Sequence, residues 1–270
     1  MAIVKGLIQI TGGISGASFY TMAGSEKVIM RTKGGPTKKQ ITKGANFEIL
    51  RKNQVEWGAC VQFARGVRHA VDGVYRLADY NLSPTWTGMG KNIIKMDKES
   101  ELGKRKLLIT EYKEALEGFN FNKKFPFNTV LRALPVVELN REQMEAVVKF
   151  SRINTEFDLL NVQKLPYFRL ILVLGTVSNI LYQPENFNKY NPSNTAKHGS
   201  SVSKTTDWLS CNDIIQNLQI CVQYNAVSLT HINEEITVLL SIGIEFGMVG
   251  LGGSIHEVKK AGCAKILCVG

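Results

Sequence analysis

Apolar positions in the first 35 residues come in short runs between glycines. They read Gly6-Leu-Ile-Gln-Ile-Thr, Gly12-Gly-Ile-Ser-Gly, Ala17-Ser-Phe-Tyr-Thr-Met and Lys27-Val-Ile-Met-Arg-Thr. Such runs predict short strands joined by tight turns. The segment has few large side chains with which to build a core alone. It must therefore lie on the rest of the chain or on a neighbouring subunit. After Pro36 the period changes. Thr37-Lys-Lys-Gln40 is a capping box, in which the hydroxyl accepts the N–H three residues on and the glutamine reaches back. Phe47, Leu50, Trp57, Cys60, Val61, Ala64, Val67, Val71, Val74 and Ala78 then fall at three- and four-residue steps. That spacing predicts helix over 38–80, broken once. Gly44, Gly58, Gly66 and Gly73 each cost up to ~1 kcal/mol in a helix interior, and close approach of another backbone would offset this. Arg65, Arg68, His69 and Arg76 lie on the opposite face, with Asp72 among them.

Pro84 closes that stretch. A shorter helix is predicted over 85–97, a polar loop over 97–103, a short strand over 106–110 and a helical turn closed by Gly118. The segment 120–128 is the best boundary candidate. From 129 the pattern has period two with β-branched runs. It predicts strands at 129–139, 145–153, 167–182, 214–224, 235–246 and 264–269, with a polar excursion over 183–207. Strands separated by polar turns, with no long helix between them, predict an antiparallel sandwich. The fold class is therefore α+β: a Gly-rich β arm and long helix (1–125), followed by a β-sandwich domain (126–270).

The chain has 270 residues, 44% hydrophobic and 21% charged, which is a globular composition. Its longest apolar run, Leu170 to Leu174, is far too short to span a bilayer. The N-terminus lacks the basic and apolar regions of a signal peptide. A soluble protein made in the cytoplasm is expected, one that can still leave the cell inside a virion-like or extracellular particle. The five cysteines (Cys60, Cys211, Cys221, Cys263 and Cys268) are odd in number and include no CxxC, so buried free thiols are expected.

Charge changes the picture more. The net +10 resolves into +7 over 1–80, +3 over 81–125 and zero over 126–270. Lys27, Arg31, Lys33, Lys38, Lys39, Lys43, Arg51 and Lys52 stand against Glu48 alone between 27 and 52. With Arg65, Arg68 and Arg76 on the helix, they are candidate polyanion-binding residues, able to neutralise several phosphates. No recognition helix or RNP aromatic motif accompanies them.

Catalytic motifs are scarce. The segments around Gly12, Gly88 and Gly250 do not complete a dinucleotide or phosphate loop and read as turns. Gly13-Ile-Ser-Gly16 misses GxSxG by one place. His69, His198, His231 and His256 stand in no triad motif, and Cys60 sits at an apolar helical position. No zinc or calcium spacing occurs. No catalytic residue, cofactor or metal is assigned, although paired acids on a sandwich could act on carbohydrate.

The Gly-rich opening, Val28-Ile-Met-Arg-Thr, Pro36-Thr-Lys-Lys-Gln40, Phe47, Asn53-Gln-Val-Glu-Trp-Gly58 and Leu116-Glu-Gly-Phe-Asn-Phe-Asn122 resemble uncharacterised proteins from Bacteroidota genomes. So do Ser241-Ile-Gly-Ile-Glu-Phe246 and the final Ala264-Lys-Ile-Leu267. That family supplies no function to carry over. A weaker echo is with phage-type structural proteins that open with a Gly-rich segment and a Thr-x-x-Gln helix start. The expectation is a non-enzymatic, self-assembling structural or particle-associated protein whose partner is itself. The alternative is a module binding nucleic acid or another polyanion through its basic half.

Overall fold

The computed structural model describes residues 2–4, 11–22, 27–32, 34–225 and 233–270. Contacts divide the chain into two units, 1–51 and 52–270. In the first, β1 (Ala2–Val4), β2 (Gly12–Ile14), β3 (Ala17–Thr21) and β4 (Val28–Thr32) form an antiparallel sheet. Its order among the described residues is β1-β4-β3-β2. The β2–β3 turn is Ser15-Gly16, both at positive φ (34° and 84°), as a two-residue hairpin requires. Val28 and Ile29 are buried, whereas Ile14 and Met22 are 54% and 57% exposed. Leu7, Ile8 and Ile10 lie outside the described residues.

The capping box forms as its residues require. The Gln40 N–H donates to Thr37 Oγ1 (3.2 Å) and the Thr37 N–H donates to Gln40 Oε1 (2.7 Å), opening α1 (Lys38–Lys43). Gly44, in an extended conformation, ends it. Then come α2 (Glu48–Ala70) and α3 (Asp72–Tyr75). The expected helix over 38–80 is therefore interrupted at two places, Gly44 and Val71.

In the second unit, α4 (Ser83–Ile94) starts at Pro84 in its first turn. The strand expected over 106–110 reduces to a single bridge, Leu107 to Ile180, followed by 3-10 turns. The start of the strand expected over 129–139 is instead the short α5 (Phe127–Val130), and β5 (Val136–Asn140) begins later. After it come β6 (Glu145–Asn154), α6 (Thr155–Asp158), β7 (Tyr167–Ser178), β8 (Ile180–Tyr182) and β9 (Tyr190–Pro192). The polar excursion contains β10 (Ser201–Thr205). The chain closes with β11 (Leu209–Ser210), β12 (Ile214–Gln223), β13 (Ile236–Val249) and β14 (Ile255–Val269). Among the described residues one antiparallel sheet runs β10-β7-β13-β14, with β11 also on β7, and another runs β12-β6-β5.

The central sheet is buried on both faces, and residue parity decides which face. Phe168, Leu170, Leu172 and Leu174, with Val238, Leu240, Ile242 and Ile244, share a core with Ala146, Val148, Phe150 and Val222 of the smaller sheet. Ile171, Val173, Val177 and Leu239, with Ala264 and Ile266, pack instead against Phe63, Val67, Val74 and Trp86 of the helices. The second unit is thus three layers: helices, central sheet, second sheet. Period-two strands carrying apolar residues at both parities are the mark of a sheet covered on both sides. The compositional boundary near 125 falls inside this unit, because helices 52–94 and strands 167–269 complete one core.

Glycine permits the closest layer contact. A Cβ on Gly175 would sit 1.9 Å from the Ala70 carbonyl oxygen. The Trp86 ring, fully buried, meets Tyr75, Phe119 and Phe121 at centroid distances of 5.9, 5.8 and 6.0 Å.

Candidate functional site

The basic residues divide between the two units. In the first, Lys38, Lys39 and Lys43 share the short helix α1 and are all exposed. Lys27 and Arg31 are exposed at β4, and the Arg31 guanidinium lies 5.7 Å from the Tyr20 ring centroid. Lys33 lies outside the described residues. Arg51 is turned inward, donating to the Ile41 and Gly44 carbonyls (2.8 Å each), so it caps the end of α1.

In the second unit Lys52 is half-buried with its stem against Gly103, and Arg65 is exposed. Arg68 lies over the Tyr75 ring at 4.8 Å. Arg76 pairs with Glu245 and also approaches Glu257 (3.6 Å). Arg51 and Arg76 are thus engaged with groups of their own chain. Four candidates (Arg51, Lys52, Arg65 and Arg68) share α2, and the three lysines of α1 are all exposed on one short helix.

Three polar constellations have no motif in the sequence. Glu56, fully buried, accepts from Arg105 Nε (2.7 Å) and Nη2 (2.6 Å), Lys91 Nζ (3.0 Å) and the Gly103 N–H (2.9 Å). Burial alone would raise its pKa, but the Arg105 fork, the Gly103 N–H and the Lys91 ammonium outweigh it and hold the carboxyl at about 2. Four donors saturate the carboxylate, so it ties α2, α4 and the 97–106 loop together rather than moving a proton. Its signal was a glutamate in the buried stripe Glu56–Cys60–Phe63–Val67.

At one end of the central sheet Glu245, also buried, pairs with Arg169 and Arg76. Arg169 reaches Glu257 (3.3 Å) and stacks over Trp208 at 4.3 Å. Two arginines balance two glutamates there.

Ser178 and His198 form the third. Ser178 Oγ is 3.2 Å from His198 Nδ1, and Nε2 is 3.1 Å from the Gln62 carbonyl. Nε2 carries the proton in that arrangement, and Nδ1 accepts from the serine. Ser178 is fully buried and a Cβ on Gly66 would meet the imidazole at 2.1 Å, so the pair clamps α2 to β7. Burial pushes the His198 pKa below its ordinary value.

The same end of the sheet as Glu245 also holds a cavity of about 400 Å³. Its apolar lining includes Phe125, Val130, Leu160, Val162, Leu165 and Phe246. Lys124, Lys260 and Asp79 supply its charge. Lys260 has φ 62°, in a bulge where 258–261 of β14 stand opposite Phe246 of β13. The five cysteines are free thiols. Among the described residues no helix is long and apolar enough to cross a membrane.

Fold and sites together define an α+β protein with a small β unit and a three-layer body. Compared with protein-family models, curated proteins and solved structures, the chain matches none.

Proposed function

We propose that this chain is a non-enzymatic structural protein that assembles with copies of itself, its N-terminal β unit packing on neighbours. The observation that carries the reading is the make-up of that unit. Its described part buries Val28 and Ile29 but leaves Ile14 and Met22 more than half exposed. Its sheet ends in short outer strands, β1 and β2, with no further strand among the described residues. Open edges beside apolar surface invite another chain to add a strand. The resemblance of the opening to phage-type structural proteins points the same way.

Light scattering after size exclusion tests this. The intact chain is expected to be multimeric at tens of micromolar, and deletion of 1–34 to leave a folded monomer. A monomeric intact chain, or a truncated one that fails to fold, removes the reading.

A second reading, polyanion binding, is favoured by Lys38, Lys39 and Lys43, exposed on a helix without a carboxylate. Nucleic-acid retention should then fall steeply with salt. Changing the three to glutamate should reduce the log–log salt slope by about 3. Salt-insensitive retention argues against it.

A further inference from the structure

The cavity of about 400 Å³ beside Phe246 joins an apolar wall to two cations that the chain leaves unneutralised. Four separated segments build it: the chain at Asp79, residues 122–130, the turn 160–165, and the β13–β14 pair at Phe246 and 260–262. Phe125, Val130, Leu160, Val162, Leu165 and Phe246 make the wall. The polar groups around that wall are already committed. Asn122 Nδ2 donates to the Leu77 (2.8 Å) and Gly262 (3.3 Å) carbonyls, and its Oδ1 accepts the Ala264 N–H (3.1 Å). Asn161 exchanges two hydrogen bonds with the Leu165 backbone (2.7 and 3.0 Å), which braces the turn that carries Val162. Asp79 accepts the backbone N–H groups of Lys123 (3.0 Å) and Lys124 (3.0 Å). The remaining amide, Gln163, is exposed to water.

The ammonium groups differ. Among the described residues neither Lys124 nor Lys260 pairs with a carboxylate, and Lys124 lies over the Phe125 ring at 5.3 Å. Lys260 stands at φ 62°, a conformation that costs a lysine energy, in the bulge opposite Phe246. A bulge re-aims its side chain, and this one brings a cation to the cavity. A wall without free donors or acceptors rejects a polar body, whose groups would lose water without replacement. Two point charges at the rim select an anionic head. Cavities of ~300–1,000 Å³ hold small molecules of that kind.

We propose that this cavity binds a carboxylate on an apolar body, of which medium-chain fatty acids are the simplest. The chain lies against Phe125 and Phe246, and the head sits between Lys124 and Lys260. Every lining residue belongs to the second unit, so the site serves a monomer and an assembled chain alike.

Calorimetric titration of the full-length protein with hexanoate, octanoate and decanoate at neutral pH tests this. A single site is expected, with affinity rising about fourfold for each added methylene. Decanol should bind more weakly than decanoate, and decylammonium should not bind. Val162→Glu, at a position that is 59% exposed, places an acid at the cavity and should abolish decanoate binding with an unchanged melting temperature. Lys124→Gln and Lys260→Gly should each weaken decanoate by up to about fivefold and leave decanol unchanged. Glycine adopts φ 62° without strain, so Lys260→Gly should not lower the melting temperature.

No binding of millimolar decanoate, or equal affinity for decanoate and decylammonium, would overturn the proposal. So would affinity that does not grow with chain length, or decanoate binding that survives in Val162→Glu. Inorganic phosphate binding as tightly as decanoate would reduce the site to surface lysines and overturn it as well.

Discussion

A single carboxylate shows how residue chemistry sets the pH range of this protein. Glu56 has a folded pKa of about 2 against an ordinary 4.5. Because the folded value is depressed, its stabilising contribution is complete above pH 4.5 and is lost as pH falls toward 2. His198 acts in a higher window. Burial pushes its pKa below the ordinary 6.5, so charging the imidazole opposes folding once the pH drops below 6.5. Stability is therefore expected to decline in two stages on acidification. Glu56→Gln should shrink the lower stage to the part due to Asp97, whose desolvation is outweighed by backbone N–H groups that also hold its carboxyl at about 2, and cost roughly 3 kcal/mol, since it leaves the partly buried Arg105 and Lys91 without their carboxylate. His198→Asn should flatten the upper stage. Urea unfolding followed from pH 8 downward reads both, and a single stage below pH 4 would contradict the role of His198.

At the scale of the element, glycine marks where helix and sheet touch. Gly175 faces the Ala70 carbonyl oxygen at a distance a Cβ cannot occupy. Gly58 lies on the same helix as Ala70, exposed, with nothing within 4 Å of its would-be Cβ. The two glycines should respond oppositely to alanine. Gly175→Ala forces the layers apart, and overpacking costs of ~1–3 kcal/mol put the expected loss at about 2 kcal/mol or more. Gly58→Ala should gain about 0.5–1 kcal/mol from helix propensity. Denaturant midpoints at equal slope measure both. An unperturbed Gly175→Ala would mean that α2 does not lie where it is described. Of the four glycines in the helix expected over 38–80, Gly66 and Gly73 do meet other elements. A Cβ on Gly73 would come within 2.9 Å of Val173.

At the scale of the whole molecule, the two-sided sheet makes the helices and strands of 52–270 interdependent. Residues 126–270 alone would expose the face formed by Ile171, Val173, Val177, Leu239, Ala264 and Ile266, all buried here. At ~25 cal/mol per Å² each of the five Val, Leu and Ile side chains forfeits about 1.5–3 kcal/mol, which together rivals the ~5–15 kcal/mol stability of a domain. A chain of 126–270 is expected to show no cooperative thermal transition, whereas the intact protein should unfold its strands and helices together. Calorimetry on both decides it, and a sharp transition from 126–270 alone would restore a boundary near 125.

What the sequence determined by itself is local. The Thr37 capping box, the Ser15-Gly16 turn, the apolar stripe of α2 and the long strands β6, β7, β12 and β13 follow from contacts within a few residues, and periodicity reports these directly. The class α+β followed from where one period gave way to the other. Only the tertiary structure decided which faces were covered. Leu170 to Leu174 hold apolar residues at both parities, a sign of two-sided burial, but nothing local says that helices form the second cover. Ser201–Thr205 read as polar loop because an edge strand can turn most of its side chains to water, and only pairing with β7 makes it β10. The bonds from Glu56 to Arg105, Glu245 to Arg76 and Ser178 to His198 join residues 49, 169 and 20 apart. Charge and hydrophobicity along the chain do not encode partners at such separations. They arise where packed layers bring side chains together.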